Sequence, residues 1–493
     1  MAPATPTRDL RRLLVGLVLL GTLVTLANRG LPLVRNSLVY ARASENVIAH
    51  GYDPRPVVAD SSLSYDKPIL YAWLSAPFVA WLGNHDGLRL TSFLTTAAYL
   101  LALGHFARSF RAELAGSGGA LLLWLATLGP CVLYQFWSAH PDGGFAALVV
   151  LAWSLTHRLV AEPSKPPVRG VLMLGLVVYV AILLKNYGLV LLLSCPAYLV
   201  WHRRSLRADP VRFRKLLASG LLVFMALGLL VVLAWTGHNP LSRLEGEGGG
   251  VGQYGAGALG LSSLGTWTQL GLALLLQFQL ALALGARREA WTRSLLAPLV
   301  CFAGPYVLGL MPFPTTFYNM RYFVPLFPLA ALVLARGARA LSPPRRRGLL
   351  LAHGLVATAL IATFNWAPAY RFLRPALPTL EVNWIGVPLS LLDNLRMPLH
   401  LDQAAILANL DEHVPAGATL YLLDVNYYGD AQRGVYEHAG RIRPDITTTY
   451  ASSRTFEPPS DDFWVWSARA LDLGALGRVT DFGLGLRHVE RTG

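Results

Sequence analysis

Residues 140–160 read HPDGGFAALVVLAWSLTHRLV. The stretch opens on polar groups, runs without a charge from Gly143 to Thr156, and closes on a histidine and an arginine. At about 1.5 Å of rise per residue, a helix of this kind suits a hydrocarbon core ~30 Å thick. Residues 143–159 therefore read as a membrane span, with His140 and Asp142 at one mouth and a basic break, His157 to Arg169, at the other.

The pattern recurs along the chain. Of the 493 residues, 54% are hydrophobic and only 14% charged, which is far from the balance of a soluble domain. An integral membrane protein is implied. The net charge of +14 would suit a nucleic-acid binder, but the arginines gather in the short breaks between apolar runs, where membrane topology places them. Nucleic acid is accordingly set aside as a partner.

The basic breaks assign the sides. Arg8, Arg11 and Arg12 precede the first run, 13–28, so the N-terminus is expected to be cytoplasmic. Further clusters, at Arg108 with Arg111, His157 to Arg169, Arg203 to Lys215, Arg287 to Arg293 and Arg336 to Arg347, share one side on a single condition. The remaining spans must run at roughly 88–107, 118–137, 143–159, 170–184, 188–202, 216–236, 267–285, 294–311, 321–337 and 348–366. With the first, that makes about eleven. No small-x-small cleavage site follows the first run, which reads as a retained anchor.

The transmembrane domain is thus expected over 1–366, with a large first external loop at 29–87 and a glycine-rich external loop at 238–266. An odd number of spans puts 367–493 outside. There the long apolar runs stop; DQAAILANLDEHVP (402–415) has helical spacing, ATLYLLDVN (418–426) reads as a buried strand, and DAQRGVYEHAG (430–440) as another helix. A small extracytoplasmic α/β domain follows. EGEGGGVGQYGAGALG (245–260) lacks the Lys-Ser/Thr and the strand-loop-helix setting of a phosphate-cradling loop, and reads as a flexible loop or lid. Cys131, Cys195 and Cys301 fall inside expected spans and read as small core residues.

Polar residues collect on the outer side. The first external loop carries ENVIAHGYDP (45–54) and SYDKPILYAWL (64–74), before GLRLTSFL (87–94) opens the second span. LKNYG places Lys185 at an outer break, and PTTFYNMRYFVPLFPLAAL (314–332) places Arg321 at an outer helix mouth. With His140, Asp142, Asp66 and Lys67, two carboxylates and three cations converge on one face. Each also has a plain reading: Lys185 as a snorkelling side chain, Asp142 as a helix cap, Asp66 as a surface partner of Lys67. An outer arginine runs against the topology bias and is harder to dismiss.

The order of these segments resembles the GT-C glycosyltransferases of the protein-mannosyltransferase and aminoarabinose-transferase type. YARASENVIAHG, YDKPILYAWL and GLRLTS are similar to that family's first external loop; HPDGGFAALVVLAW looks like its aspartate opening the fourth span; RYFVPLFPLAALVLARG resembles its Arg-Tyr or Lys-Tyr helix start. The C-terminal helix-strand-helix resembles the family's periplasmic domain. The resemblance implies an inverting transferase in a bacterial inner membrane, taking a hexosyl or pentosyl group from a polyprenyl-phosphate sugar to a lipid, glycan or protein acceptor.

Transfer through an oxocarbenium-like state leaves a lipid phosphate, which needs cations more than a general acid. Arg321, beside Tyr322, offers a planar fork, and Lys67 and Lys185 offer point charges. The acceptor needs a carboxylate base. Aligned through ENVIAHG, the family's acidic pair falls on Asn36 and Ser37, neither of which can be that base. Either the base has moved to Asp66 or Asp142, or Asn36 holds an acceptor in a divergent or inactive homologue. No cofactor is firmly implied, although Asp66, Asp142 and His140 could share a divalent ion. The competing reading is a non-catalytic relative, such as a lipid-linked glycan carrier or flippase; such a protein should carry ionisable groups within its spans, and the expected spans have almost none between their ends.

Overall fold

The computed structural model describes residues 6–27, 36–51, 68, 70–114, 126–127, 130–162, 166–234, 293–310, 323–339, 341–364, 403–423, 443, 445–451, 456–467 and 473–491. The chain forms two compact units. The first comprises Met1–Arg29, Asp66–Leu74 and Arg89–Val387; the second comprises Gly30–Tyr65, Ser75–Leu88 and Pro388–Gly493.

The apolar runs form helices: α1 (Pro6–Ala27), α2 (Asn36–Ala49), α3 (Leu70–Ser109), α4 (Pro130–Trp137), α5 (Asp142–Ala161), α6 (Pro167–Leu184), α7 (Leu191–Trp201) and α8 (Pro210–Ala234). After them come α9 (Arg293–Pro298), a π-turn (Leu299–Ala303), α10 (Gly304–Leu310), α11 (Phe327–Arg339) and α12 (Pro343–Phe364). Among the described residues, α3, α5 and α6 are long and apolar enough to cross a membrane, and shorter apolar helices cover 12–27, 187–201, 296–308 and 323–336. The span expected at 267–285 and the glycine-rich loop lie outside the described residues. The segment expected as a first external loop, 29–87, is not a plain connector: α2 and the first part of α3 make 36–49 and 70–87 helical, with the axis of α3 broken at Gly83 (φ 78°).

In the first unit α5 packs along α6, and α6 along α8. Pro167 sits in the first turn of α6, where a missing N–H costs no hydrogen bond. The π-turn follows Pro298 and carries Phe302, which stacks on Trp153 of α5 (5.4 Å between centroids) and on Tyr198 of α7 (4.5 Å). Widened turns of this type take in an extra residue and re-aim side chains. Here Phe302, on the widened turn, stacks with one ring from each of two other helices. At the far end of α5, Arg212 of α8 donates to the carbonyls of Leu159 (2.7 Å) and Glu162 (3.2 Å), closing off acceptors that a helix end leaves unpaired. Arg158 pairs with Glu162 there and contacts His105 at 2.9 Å, while His157 meets the Tyr198 hydroxyl at 2.8 Å. Cys131, Cys195 and Cys301 are free thiols, all buried.

In the second unit, α2 lies against residues 75–88, joined by Ser44 and Ser75 hydroxyls 2.7 Å apart and by an Asn84 amide donating to Glu45 at 2.5 Å. Its C-terminal part begins with α13 (Gln403–His413), the helix expected from spacing, and β1 (Thr419–Leu423), the expected strand. β2 (Thr447–Ala451), β3 (Phe463–Trp466), β4 (Gly477–Asp481) and β5 (Leu486–Arg491) complete a five-stranded sheet in the order β2-β1-β3-β5-β4. β1 runs parallel to both neighbours, and β5 antiparallel to both of its own.

Successive side chains alternate faces. Leu420 and Leu422 pack under Ile406 and Leu410 of α13 and Val414 just after it, while Leu423 joins Phe463, Val465 and Val489 on the other side. An apolar run such as TLYLL is thereby buried on both faces. The helix expected at 430–440 lies outside the described residues.

Candidate active site

The site forms where α5 begins. Asp142 is in its first turn, where a carboxylate is favoured by the unpaired N–H groups of the helix start. Two features fix that start. Ala139, fully buried, adopts φ 57°, a left-handed conformation that costs about 1–2 kcal/mol for a residue with a Cβ, and it turns the chain from α4 into His140-Pro141. Then the Ser92 hydroxyl of α3 donates to the Gln135 carbonyl (2.6 Å) and the His140 carbonyl (3.2 Å), and Thr96 donates to Gln135 as well (3.0 Å). The Gln135 carbonyl, in the last turn of α4, would otherwise lack a partner.

Gly143 makes the approach of α5 to α3 possible, since a Cβ there would overlap the Thr96 hydroxyl. Close backbone approach of this kind is what small residues allow at helix contacts within membranes.

Lys185 comes from the opposite direction. It ends α6 in an extended conformation, with its N–H on the Ala181 carbonyl at 2.9 Å, and the chain then folds back through a 3₁₀ turn, Asn186–Val190. Gly188 permits that fold-back, because a Cβ would press on the backbone of Ala181 and Ile182. From there the Lys185 ammonium makes an ion pair and a charge-assisted hydrogen bond with the Asp142 carboxylate. The pair is almost dry: the side chains are 11% and 3% exposed. The rings of Phe145 and Tyr187 lie 5.8 and 5.4 Å from the ammonium. Cations favour aromatic faces, the more so where water is scarce.

Of the residues singled out in the sequence, Asp142 and Lys185 are brought together, and His140, just before Asp142 in the chain, is buried with its carbonyl accepting from Ser92. Asn36 is the first residue of α2, in the second unit, and Ser37 is buried. Asp66, Lys67, Arg321 and Tyr322 lie outside the described residues. Among the described residues, no three of His, Cys, Asp or Glu gather to hold a metal ion.

Further buried polar residues, with no role assigned to them from the sequence, lie on α3 and at its start. Arg89, Ser92 and Thr96 are all buried on α3, and Tyr71, at its start, is fully buried within electrostatic reach of Asp142 and bonded to Ser92. The 89, 92, 96 spacing is a polar stripe on one helix face, and this was the available signal. Arg89 and Ser92 stand in the quoted GLRLTSFL.

A buried carboxylate and a buried ammonium inside a helical bundle are expensive and mark functional sites. The first can take a proton; the second can hold an anion. No protein-family model matches the sequence, and no curated protein matches it. Solved structures do. ArnT from Cupriavidus metallidurans in the apo state superposes with a TM-score of 0.53 at 16% identity, over 98% of this chain and 98% of that one. The same protein bound to undecaprenyl phosphate gives 0.51 at 17% identity, over 96% and 97%. The fold is the GT-C fold. The ArnT chain is matched almost end to end, and within that fold the buried charged pair lies at a helix start.

Proposed function

We propose that this chain is a membrane glycosyltransferase that moves a sugar from a polyprenyl-phosphate donor to an acceptor on the extracytoplasmic face of a bacterial inner membrane, by one inverting displacement. The observation that carries the reading is the buried Asp142–Lys185 pair at the start of α5, on a GT-C fold. In support, ArnT of the same fold binds undecaprenyl phosphate.

In this reading Asp142 is the general base, and it answers the absence of an acidic pair at Asn36-Ser37. Lys185 contacts the donor phosphate. Arg321 and Lys67 add cations to the leaving group, Tyr322 and His140 line the donor, and Asn36 holds the acceptor by hydrogen bonds. Asp66 is the second candidate base. The chemistry needs only a carboxylate for the acceptor's proton and cations for the phosphate.

The test is transfer from polyprenyl-phosphate sugars by the purified chain in lipid. Asp142→Asn should lower turnover by about 10²–10⁴-fold, the usual worth of a general base. Arg321→Ala should abolish transfer, with Arg321→Lys recovering part, because a lysine cannot make the two parallel bonds of a guanidinium. Comparing surface glycans of a deletion strain with its parent identifies the sugar. Full turnover by Asp142→Asn, together with Asp66→Asn, would remove the base from both proposed positions.

A further inference from the structure

We infer that the Asp142–Lys185 pair is an exchange device: the donor phosphate draws Lys185 away from Asp142, so that the base is released only when a donor is bound. This deepens the proposed function and rests on it. Three observations lead here. The two side chains are each other's partners while nearly dry. Lys185 sits on a chain turn at the end of α6, with extended backbone, rather than within a helix. Its ammonium also has two aromatic rings at cation-π distance, so it can turn from the carboxylate without losing every favourable contact.

Charge accounting favours the exchange. Before transfer the site holds an ammonium, a carboxylate and the single negative charge of a phosphodiester. The bond between the sugar's anomeric carbon and the phosphate oxygen breaks, its electron pair leaving on that oxygen, and the acceptor hydroxyl oxygen forms the new bond to the anomeric carbon. The acceptor's proton passes to Asp142. Afterwards the carboxyl is neutral, the lipid phosphate carries two negative charges, and the ammonium faces the phosphate. Net charge in the site is the same throughout. One negative charge has moved from the carboxylate to the phosphate, where Lys185 already stands. In a poorly solvated site the carboxylate that Lys185 has left is costly to keep charged, which favours its taking the acceptor's proton. A lysine suits the task, as a point charge on a flexible stem, where an arginine fork would lock onto the carboxylate.

The experiment uses the full chain in lipid nanodiscs, with undecaprenyl phosphate as the probe, and reads binding, melting temperature and transfer. Asp142→Asn and Asp142→Ala free Lys185 from its competitor, so either folded variant should bind the probe at least roughly tenfold more tightly than the native chain while transferring far less sugar. Lys185→Met should bind it more weakly. The neutral double variant, Asp142→Asn with Lys185→Met, should melt close to the native chain yet stay inactive, because a structural pair replaced as a whole leaves no unpaired charge. A pair that only braces the bundle gives the opposite pattern: native-like binding in the Asp142 variants and restored transfer in the double variant. That result overturns the exchange and leaves the donor reading standing. If the folded native chain does not bind undecaprenyl phosphate at all, the donor reading itself falls, and the exchange with it.

Discussion

At the scale of single residues, the position of Asp142 depends on a contact that has no room to spare. Gly143 faces the Thr96 hydroxyl so closely that even one methyl group would overlap it. Gly143→Ala should therefore force α5 away from α3, at a cost of about 1–3 kcal/mol for overpacking. It should also lower transfer by displacing the Asp142 carboxylate. Thr96→Ala in the same chain removes the hydroxyl and should recover part of the loss; a double-mutant cycle on melting temperature and turnover measures the coupling. Purely additive effects would mean that Thr96 is not what Gly143 leaves room for. In the sequence the two glycines of HPDGG stand near a helix start and Thr96 stands within the span expected at 88–107, but nothing in it says which faces which. Asp142 and Lys185 are likewise legible as polar groups at apolar run ends, and their pairing is not, since 43 residues separate them and only the packing of α5 along α6 closes the gap.

At the scale of elements, the apolar runs were legible because hydropathy sums over a whole turn-rich segment, and about twenty residues of it outweigh any local exception. What hydropathy does not resolve is where a helix continues through polar ground. Residues 70–87 look like loop because SYDKP, Trp81 and the NHD triplet at 84–86 break the run, yet they are helical and join the following span through the break at Gly83. The sheet of the second unit shows a different dependence.

Arg443 donates to Asp445 at 2.7 and 2.9 Å, to Asp411 at 3.4 Å and to the Val414 carbonyl at 3.0 Å, tying the end of α13 to the approach to β2. These bonds hold the Asp445 carboxyl below its usual range. A depressed carboxylate stabilises the fold at pH above its unfolded value and loses that contribution as pH falls through the folded one. Hydrogen-exchange protection factors of β1 and β2 in the intact chain, taken relative to the intrinsic rate at each pH, should thus fall as the medium becomes more acid than the ordinary carboxylate range. Asp445→Asn should show weaker protection at neutral pH and less of that acid dependence. An identical pH profile in the variant would assign the acid response to other groups.

At the scale of the whole molecule, a match over nearly the full length of ArnT at 16% identity ties this sequence to an architecture while leaving its chemistry to its own residues. The orientation argument from basic residues is independent of that match. Reporter fusions after Arg207 and Arg339 should read cytoplasmic and one after Asp411 external. An inward-facing C-terminal domain would take the proposed site to the wrong side of the membrane.

The three thiols bear on how such questions can be approached. The chain has only three cysteines, all of them buried, and the last is Cys301, so no residue after it can form a disulfide. The C-terminal sheet must reach its native state without oxidative help, and reductant in a buffer has no crosslink there to break. The native chain is also a nearly silent background for thiol chemistry. A single cysteine placed at a surface position would carry a probe almost alone, allowing labels on α2, α13 or the β4–β5 turn without first stripping the protein of its own sulfur.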